Sequence, residues 1–288
     1  MYNFLNNCHN YGYLLQKNKM TTFQLIILAG GGLIAGILAG FLGIGGGTVL
    51  VPLLLALGYT PIQAVATSSL SIVITAISGS FQNWRMGYLS LNKVIGIGFP
   101  SVLTAQIGVF LAGIFTPKLL LFLFGCLLLL NVYLVEVRKQ ITANKKQLEE
   151  QQISESTINS EDNIPFNPVF ARILTGSSAG ILAGLFGVGG GIIMVPLQIL
   201  LLGETIKVAI QTSLGVIMIT AISACIGHAM QGNVLWIPGI VLGLGGLLGA
   251  QISTRFLPKL SDQTVTLMFR IFLIIISVYI FKQAWLSS

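Results

Sequence analysis

Charge is what this chain has least of. Only 8% of its 288 residues are Asp, Glu, Lys or Arg, where a soluble domain carries roughly 25%. Of the eight acidic residues, Glu136, Glu149, Glu150, Glu155, Glu161 and Asp162 crowd into one central stretch, Glu204 lies in a short loop, and Asp262 precedes the last apolar run. No carboxylate falls inside an apolar segment. That makes a carboxylate relay for protons or sodium hard to build and leaves a cationic substrate without a counter-charge. Cysteine is equally sparse. Cys8, Cys126 and Cys225 form no closed disulfide set and indicate no redox compartment. Cys225 and His228 stand three apart on one helix face, but two ligands alone make a poor metal site. No nucleophile and base pair is visible either, so neither an enzyme nor a metal or other cofactor is expected. The net charge of +7 is spread singly over segment ends and loops, without the basic stripe that a nucleic-acid partner requires.

Apolar sequence is what the chain has in excess, at 54% of all residues. Runs near 24–42, 62–83, 94–115, 119–135, 173–186, 208–229, 235–254 and 264–281 mostly approach the roughly 20 residues that a spanning helix needs. Two shorter pieces, 48–57 and 192–202, are long enough for about half a crossing. The expected fold is an all-α integral membrane protein with the lipid bilayer as its surroundings.

The sequence is written twice. GILAGFLGIGGGTVLVPL at 36–53 recurs as GILAGLFGVGGGIIMVPL at 180–197, with 12 of 18 positions identical. At a shift of 145, Ala64, Thr67, Ser68, Thr75, Ala76 and Ser78 match Ala209, Thr212, Ser213, Thr220, Ala221 and Ser223, and Gln106 matches Gln251. The expected organisation is an N-terminal tail at 1–22, a first membrane repeat at 23–135, a linker at 136–172 and a second repeat at 173–288. The polar residues before Met20 read as an over-extended start. The linker, with its run QQISESTINSEDN, reads as a solvated cytoplasmic segment.

Each repeat opens on a glycine-broken helix whose threading decides the topology. A re-entrant hairpin plus three spans gives an inverted repeat, whereas a kinked crossing plus three spans gives a parallel one. Counting Lys and Arg in loops scores ten against four for both threadings, so the positive-inside rule does not separate them. The hairpin is preferred, because inverted repeats commonly place broken helices at a shared midplane site.

At Gly45, Gly46 and Gly47, and again at Gly189, Gly190 and Gly191, the break begins a short helix. A helix start carries unpaired N–H donors and about half a positive charge, so two such starts suit a small anion. No lysine follows either cluster, which excludes a nucleotide loop. Gly36 and Gly40, like Gly180 and Gly184, are spaced as G-x-x-x-G and read as helix packing. Thr67 with Ser68, Thr212 with Ser213, and Gln106 with Gln251 rank second as site candidates because they recur in matched positions. Isolated Ser and Thr in spans otherwise bond to their own helix. His228 is a candidate for binding an anion or handling a proton, while Arg270 reads as snorkelling to the interface.

The duplicated pattern G-x-x-G-[IV]-G-G-G-x-x-x-V-P, followed in each half by A-x-x-T-S, resembles the TauE/SafE family of membrane permeases, described as sulfite and organosulfonate exporters. The resemblance covers about residues 24–282. It implies a transporter of small sulfur-containing anions in the cell membrane, with site residues carried onto Gly43, Gly45, Gly46, Gly47, Pro52, Thr67 and Ser68. In the second half it points to Gly187, Gly189, Gly190, Gly191, Pro196, Thr212 and Ser213. Export by alternating access is the leading expectation, with a proton- or sodium-coupled anion importer and a non-transporting assembly protein as rivals. The expected partners are the bilayer and the anion; a homodimer stays open.

Overall fold

In a computed structural model, residues 22–130, 133, 167–259, 261, 267, 271, 274–280 and 282 are described. Among them there are helices and no strands. The elements are α1 (Thr22–Leu42), α2 (Gly47–Ala56), α3 (Pro61–Arg85), α4 (Leu91–Ile114) and α5 (Pro117–Leu130), followed by α6 (Pro168–Phe186), α7 (Gly191–Leu202), α8 (Ile206–Met230) and α9 (Trp236–Phe256). Six of these, all except α2, α5 and α7, are long and apolar enough to cross a bilayer. The chain is an all-α integral membrane protein. Helix α6 begins at Pro168, inside the stretch read as linker. Proline is preorganised for the first helical position, and the Asn167 side chain accepts a hydrogen bond from the Val169 N–H at 3.0 Å. The rest of 136–172, the tail before Thr22 and Arg270 lie outside the described residues.

Small residues decide which helices touch. Gly32, Gly36 and Gly40 of α1 face Leu242, Gly246 and Ser253 of α9 in ascending order, so α1 and α9 run the same way. Gly239 and Gly243 of α9 face Leu70 and Ile74 of α3, and the Ser78 hydroxyl donates to the Leu247 carbonyl at 3.0 Å. Helix α3 therefore runs with them. On the other side, Ile97, Ser101 and Ala105 of α4 face Gly176, Gly180 and Gly184 of α6. Ser101 bonds Thr220 at 2.6 Å and Ser223 donates to Val102 at 2.9 Å, which aligns α4 with α8. At all these glycines a Cβ would strike backbone or side-chain atoms of the neighbouring helix, so G-x-x-x-G serves close packing here.

The two sets oppose each other, because α3 joins α4 through residues 86–90 alone, and α8 joins α9 through 231–235. Helices α1 and α3 share a direction, so the chain must return between Leu42 and Pro61, and α2 carries it. A Cβ on Gly46 would meet the Ala35 carbonyl oxygen at 2.9 Å, while Leu53 lies further back, against Gly31. Between α6 and α8 the return is made by α7. Each break is thus a hairpin, and α1, α3 and α4 each run opposite to their counterparts α6, α8 and α9. Arg85, Lys93, Arg172, Lys207, Arg255 and Lys259 all fall at one end of the bundle, and Lys118 at the other.

Candidate functional site

The two glycine breaks meet. Gly46 and Gly190 precede α2 and α7 with φ of 77° and 75°, a left-handed conformation that costs glycine nothing and other residues about 1–2 kcal/mol. This lets each chain reverse within four residues and present its short helix to the other half. A Cβ on Gly189 would lie 3.7 Å from the Cα of Gly45, and those on Gly47 and Gly191 would collide with the Gly187 and Gly43 carbonyls. Backbone packs on backbone across the centre. Ile72 of α3 and Ile217 of α8, both fully buried, flank the crossing.

Two serines hold it together, and each reaches into the opposite half. Ser68 donates to the Gly187 carbonyl at 2.7 Å and Ser213 to the Gly43 carbonyl at 2.9 Å, while each also bonds its own helix, at Val65 and Ile210. These carbonyls are the ones against which Gly47 and Gly191 rest. The candidates Gly43, Gly45, Gly46, Gly47, Ser68, Gly187, Gly189, Gly190, Gly191 and Ser213 are therefore brought into one centre.

The other candidates lie elsewhere. Thr67 accepts from the Leu235 N–H at 3.1 Å and so caps α9; Thr212, its match, is buried in α8. Gln106 is exposed on α4 and bonds both the carbonyl and the hydroxyl of Ser223, at 2.7 and 2.8 Å. Gln251, half-buried on α9, is its counterpart. His228 is fully buried near the end of α8, its Nε2 at 2.8 Å from the Gly184 carbonyl. Thr67, Gln106 and His228 thus bond backbone groups of neighbouring helices, and none of them bonds the Gly43 or Gly187 carbonyl.

Donors are in surplus at the centre. Among the described residues, no acceptor pairs with the N–H groups of Gly45, Gly46, Gly47 and Thr48, and in the first turn of α2 bonding starts with Val49 and Leu50, both onto the Gly46 carbonyl. The matching N–H groups from Gly189 to Ile192 are equally unpaired, and Met194 is the first to donate, to Gly190. Such starts favour negative charge. Thr48 and Ser71, which sequence reasoning did not single out, carry buried hydroxyls with no hydrogen-bond partner. Neither recurs in the second half, where Ile192 and Val216 stand at the matching positions.

Among the described residues one ion pair is present. Lys93, at the start of α4, meets Glu204 in the α7–α8 loop at 2.5 Å, both partly exposed, at the end where the basic residues gather.

Known proteins place the chain. Residues 28–280 match the family described as "Sulfite exporter TauE/SafE". The chain is 28% identical over 265 residues to "Probable membrane transporter protein YunE" of Bacillus subtilis, covering 88% of this chain and 96% of that protein. To "Probable membrane transporter protein YdhB" of the same organism it is 27% identical, covering 77% and 85%. A probable membrane transporter protein of Methanocaldococcus jannaschii is 30% identical, covering 74% and 75%. With a family match that runs from α1 to the last described helical stretch, the chain belongs to the TauE/SafE family.

Proposed function

We propose that this chain is a multi-pass membrane transporter that carries small sulfur-containing anions, such as sulfite or organosulfonates, out of the cell by alternating access. The observation that carries the reading is the meeting of two helix starts with unpaired N–H groups at the centre of the bundle. No carboxylate lies in the described spans to repel an anion. The names of the family and of its relatives support the same class.

The opposed helix directions support reading the halves as an inverted repeat, the architecture in which one half rocks against the other about a fixed site. By the positive-inside rule the end that gathers Arg85, Lys93, Arg172, Lys207, Arg255 and Lys259 is read as the cytoplasmic one, with the linker on that side of the cell membrane. In the described conformation the breaks close on each other. The anion enters when they part on the cytoplasmic side, is held by the N–H groups, and leaves when the opposite side opens. A monovalent anion leaving a negative interior gains about 2.3 kcal/mol per 100 mV, enough for roughly a fiftyfold gradient without a coupling ion.

Reconstituted vesicles loaded with labelled sulfite, sulfoacetate or sulfate test this. Wild-type protein passes at least one of them well above empty vesicles, and Gly46→Leu or Gly190→Leu abolishes the flux. Flux at the empty-vesicle level for every anion sinks the reading. A proton-coupled importer is the second reading, favoured by His228, whose Nδ1 is buried without a partner. It requires flux that follows an imposed pH gradient and is lost in His228→Asn.

A further inference from the structure

We infer that the anion site is one-sided: it is built on the first half's helix start, with the hydroxyls of Thr48 and Ser71 donating beside the N–H groups of Gly47 and Thr48, and its ligand is an oxyanion. The inference rests on the transport reading above for its biological sense, but not for its geometry.

Two independent observations coincide at α2. Its first turn has N–H groups with no acceptor among the described residues, and Thr48, within that turn, has a hydroxyl that is fully buried and unpartnered. Ser71 adds a second hydroxyl of the same kind on α3. Ser71 immediately precedes Ile72, whose Cδ1 lies 2.9 Å from where a Cβ of Gly47 would stand, so α3 passes the start of α2 at this level. Buried hydroxyls are normally hydrogen-bonded, and most others in these spans are. Ser69, Thr75, Thr220 and Thr254 each bond a carbonyl one turn back. Thr48 and Ser71 do not, so both are free to serve a ligand.

The second half offers no such pair. Its start has the same glycines and free N–H groups, but Ile192 stands where the first half has Thr48, and Val216 where it has Ser71. Neither can donate. A ligand that gains from hydroxyl donors therefore sits towards α2. All the groups named are neutral donors, and a hydroxyl also accepts; with no carboxylate in the described spans, the ligand brings the negative charge and several acceptor oxygens. Sulfite, a sulfonate group and sulfate share that chemistry, whereas chloride presents a sphere without directional acceptors.

The test is binding of sulfite, methanesulfonate and sulfate to the full-length protein in detergent, read by isothermal titration, with flux measured in parallel. Thr48→Val and Ser71→Ala each raise the sulfite Kd about tenfold, as expected for losing one hydrogen bond to a charged ligand. Thr48→Ser stays within about threefold. Thr175→Val, which removes another buried unpartnered hydroxyl from α6, leaves Kd unchanged. Variants are compared only if they elute as the wild type does, and Thr48→Ala replaces Thr48→Val if the latter does not. A wild-type Kd in Thr48→Val or its replacement overturns the inference, as does binding of none of the three anions. Flux that is indifferent to Thr48 overturns the one-sided site and leaves transport standing. Binding that depends on Thr48 without flux does the reverse.

Discussion

The two glycine breaks share a backbone and differ in chemistry. Both reverse the chain through a left-handed glycine at φ near 76°, both are tied by a serine from the other half, and both begin a short helix containing a proline, Pro52 or Pro196. Yet the first start carries Thr48, and α3 passes it one residue beyond Ser71, at Ile72, while the matching positions in the second half are Ile192 and Val216. Towards the helix ends, Asn83 stands where the second half has His228. What holds the crossing was kept in both copies: glycines where backbones touch, and one hydroxyl to hold each carbonyl. Several side chains outside these two constraints diverged, among them Thr48, Ser71 and Asn83. Duplication therefore reports on scaffold, and differences between copies are where to look for ligand chemistry.

The sharpest way to break this comparison is at the crossing itself. Gly47→Ala and Gly191→Ala each drive a methyl into a carbonyl of the opposite half, where no flexible side chain can yield. Overpacking costs about 1–3 kcal/mol or more, and both variants are expected to lose folded protein by size-exclusion chromatography and thermal melting. Gly30→Ala, with open space around it, should melt with the wild type. A tolerated Gly191→Ala would show that the halves are not equally committed to contact.

Ser68→Ala and Ser213→Ala sharpen the symmetry. Each removes one interhelical hydrogen bond to a glycine carbonyl, worth about 0.6 kcal/mol on average in a membrane and up to about 1.7. The two losses should be alike in chemical denaturation and should add in the double variant to within about 0.5 kcal/mol. Unequal losses would mean that one break is held more firmly than the other. A smaller effect again is expected for Gln106→Leu, which removes polar contacts of an exposed side chain: a lowered melting temperature with anion affinity unchanged. Smallest is Lys93→Gln. A partly exposed ion pair contributes about 0–1 kcal/mol, so the loss should shrink towards zero in high salt, measured by the same melts at two ionic strengths.

Much of the fold was legible because its causes are local. Bilayer-length apolar runs such as 62–83 and 235–254 became α3 and α9, since a span must satisfy its own backbone. Helix α6 starts five residues before the apolar run read at 173–186, because Arg172 cuts that run off from the proline-initiated turn at 168–171. Ser68 and Ser213 were picked out as a repeated pair, but not for what they do. Comparing copies aligns Ser68 with Ser213, whereas its physical partner is Gly187, which lies 119 residues away. Gln106 and Gln251 were picked out by the same logic, and Gln106 proved to join two helices on an exposed face.

Hydropathy was enough to put this chain in a bilayer, and the identities between 36–53 and 180–197 were enough to read it as a doubled module whose copies each open on a broken helix, because hydropathy, identity and glycine content belong to the chain alone. Only the tertiary structure decided how the breaks are threaded. Loop charges scored alike for a hairpin and a kinked crossing, and the direction of a helix is visible only in the order of its contacts with a neighbour. It also decided that the breaks face each other and that Thr48 and Ser71 are left without partners. A hydrogen bond formed or missed across more than a hundred residues depends on where two helices come to rest, and no local pattern records that.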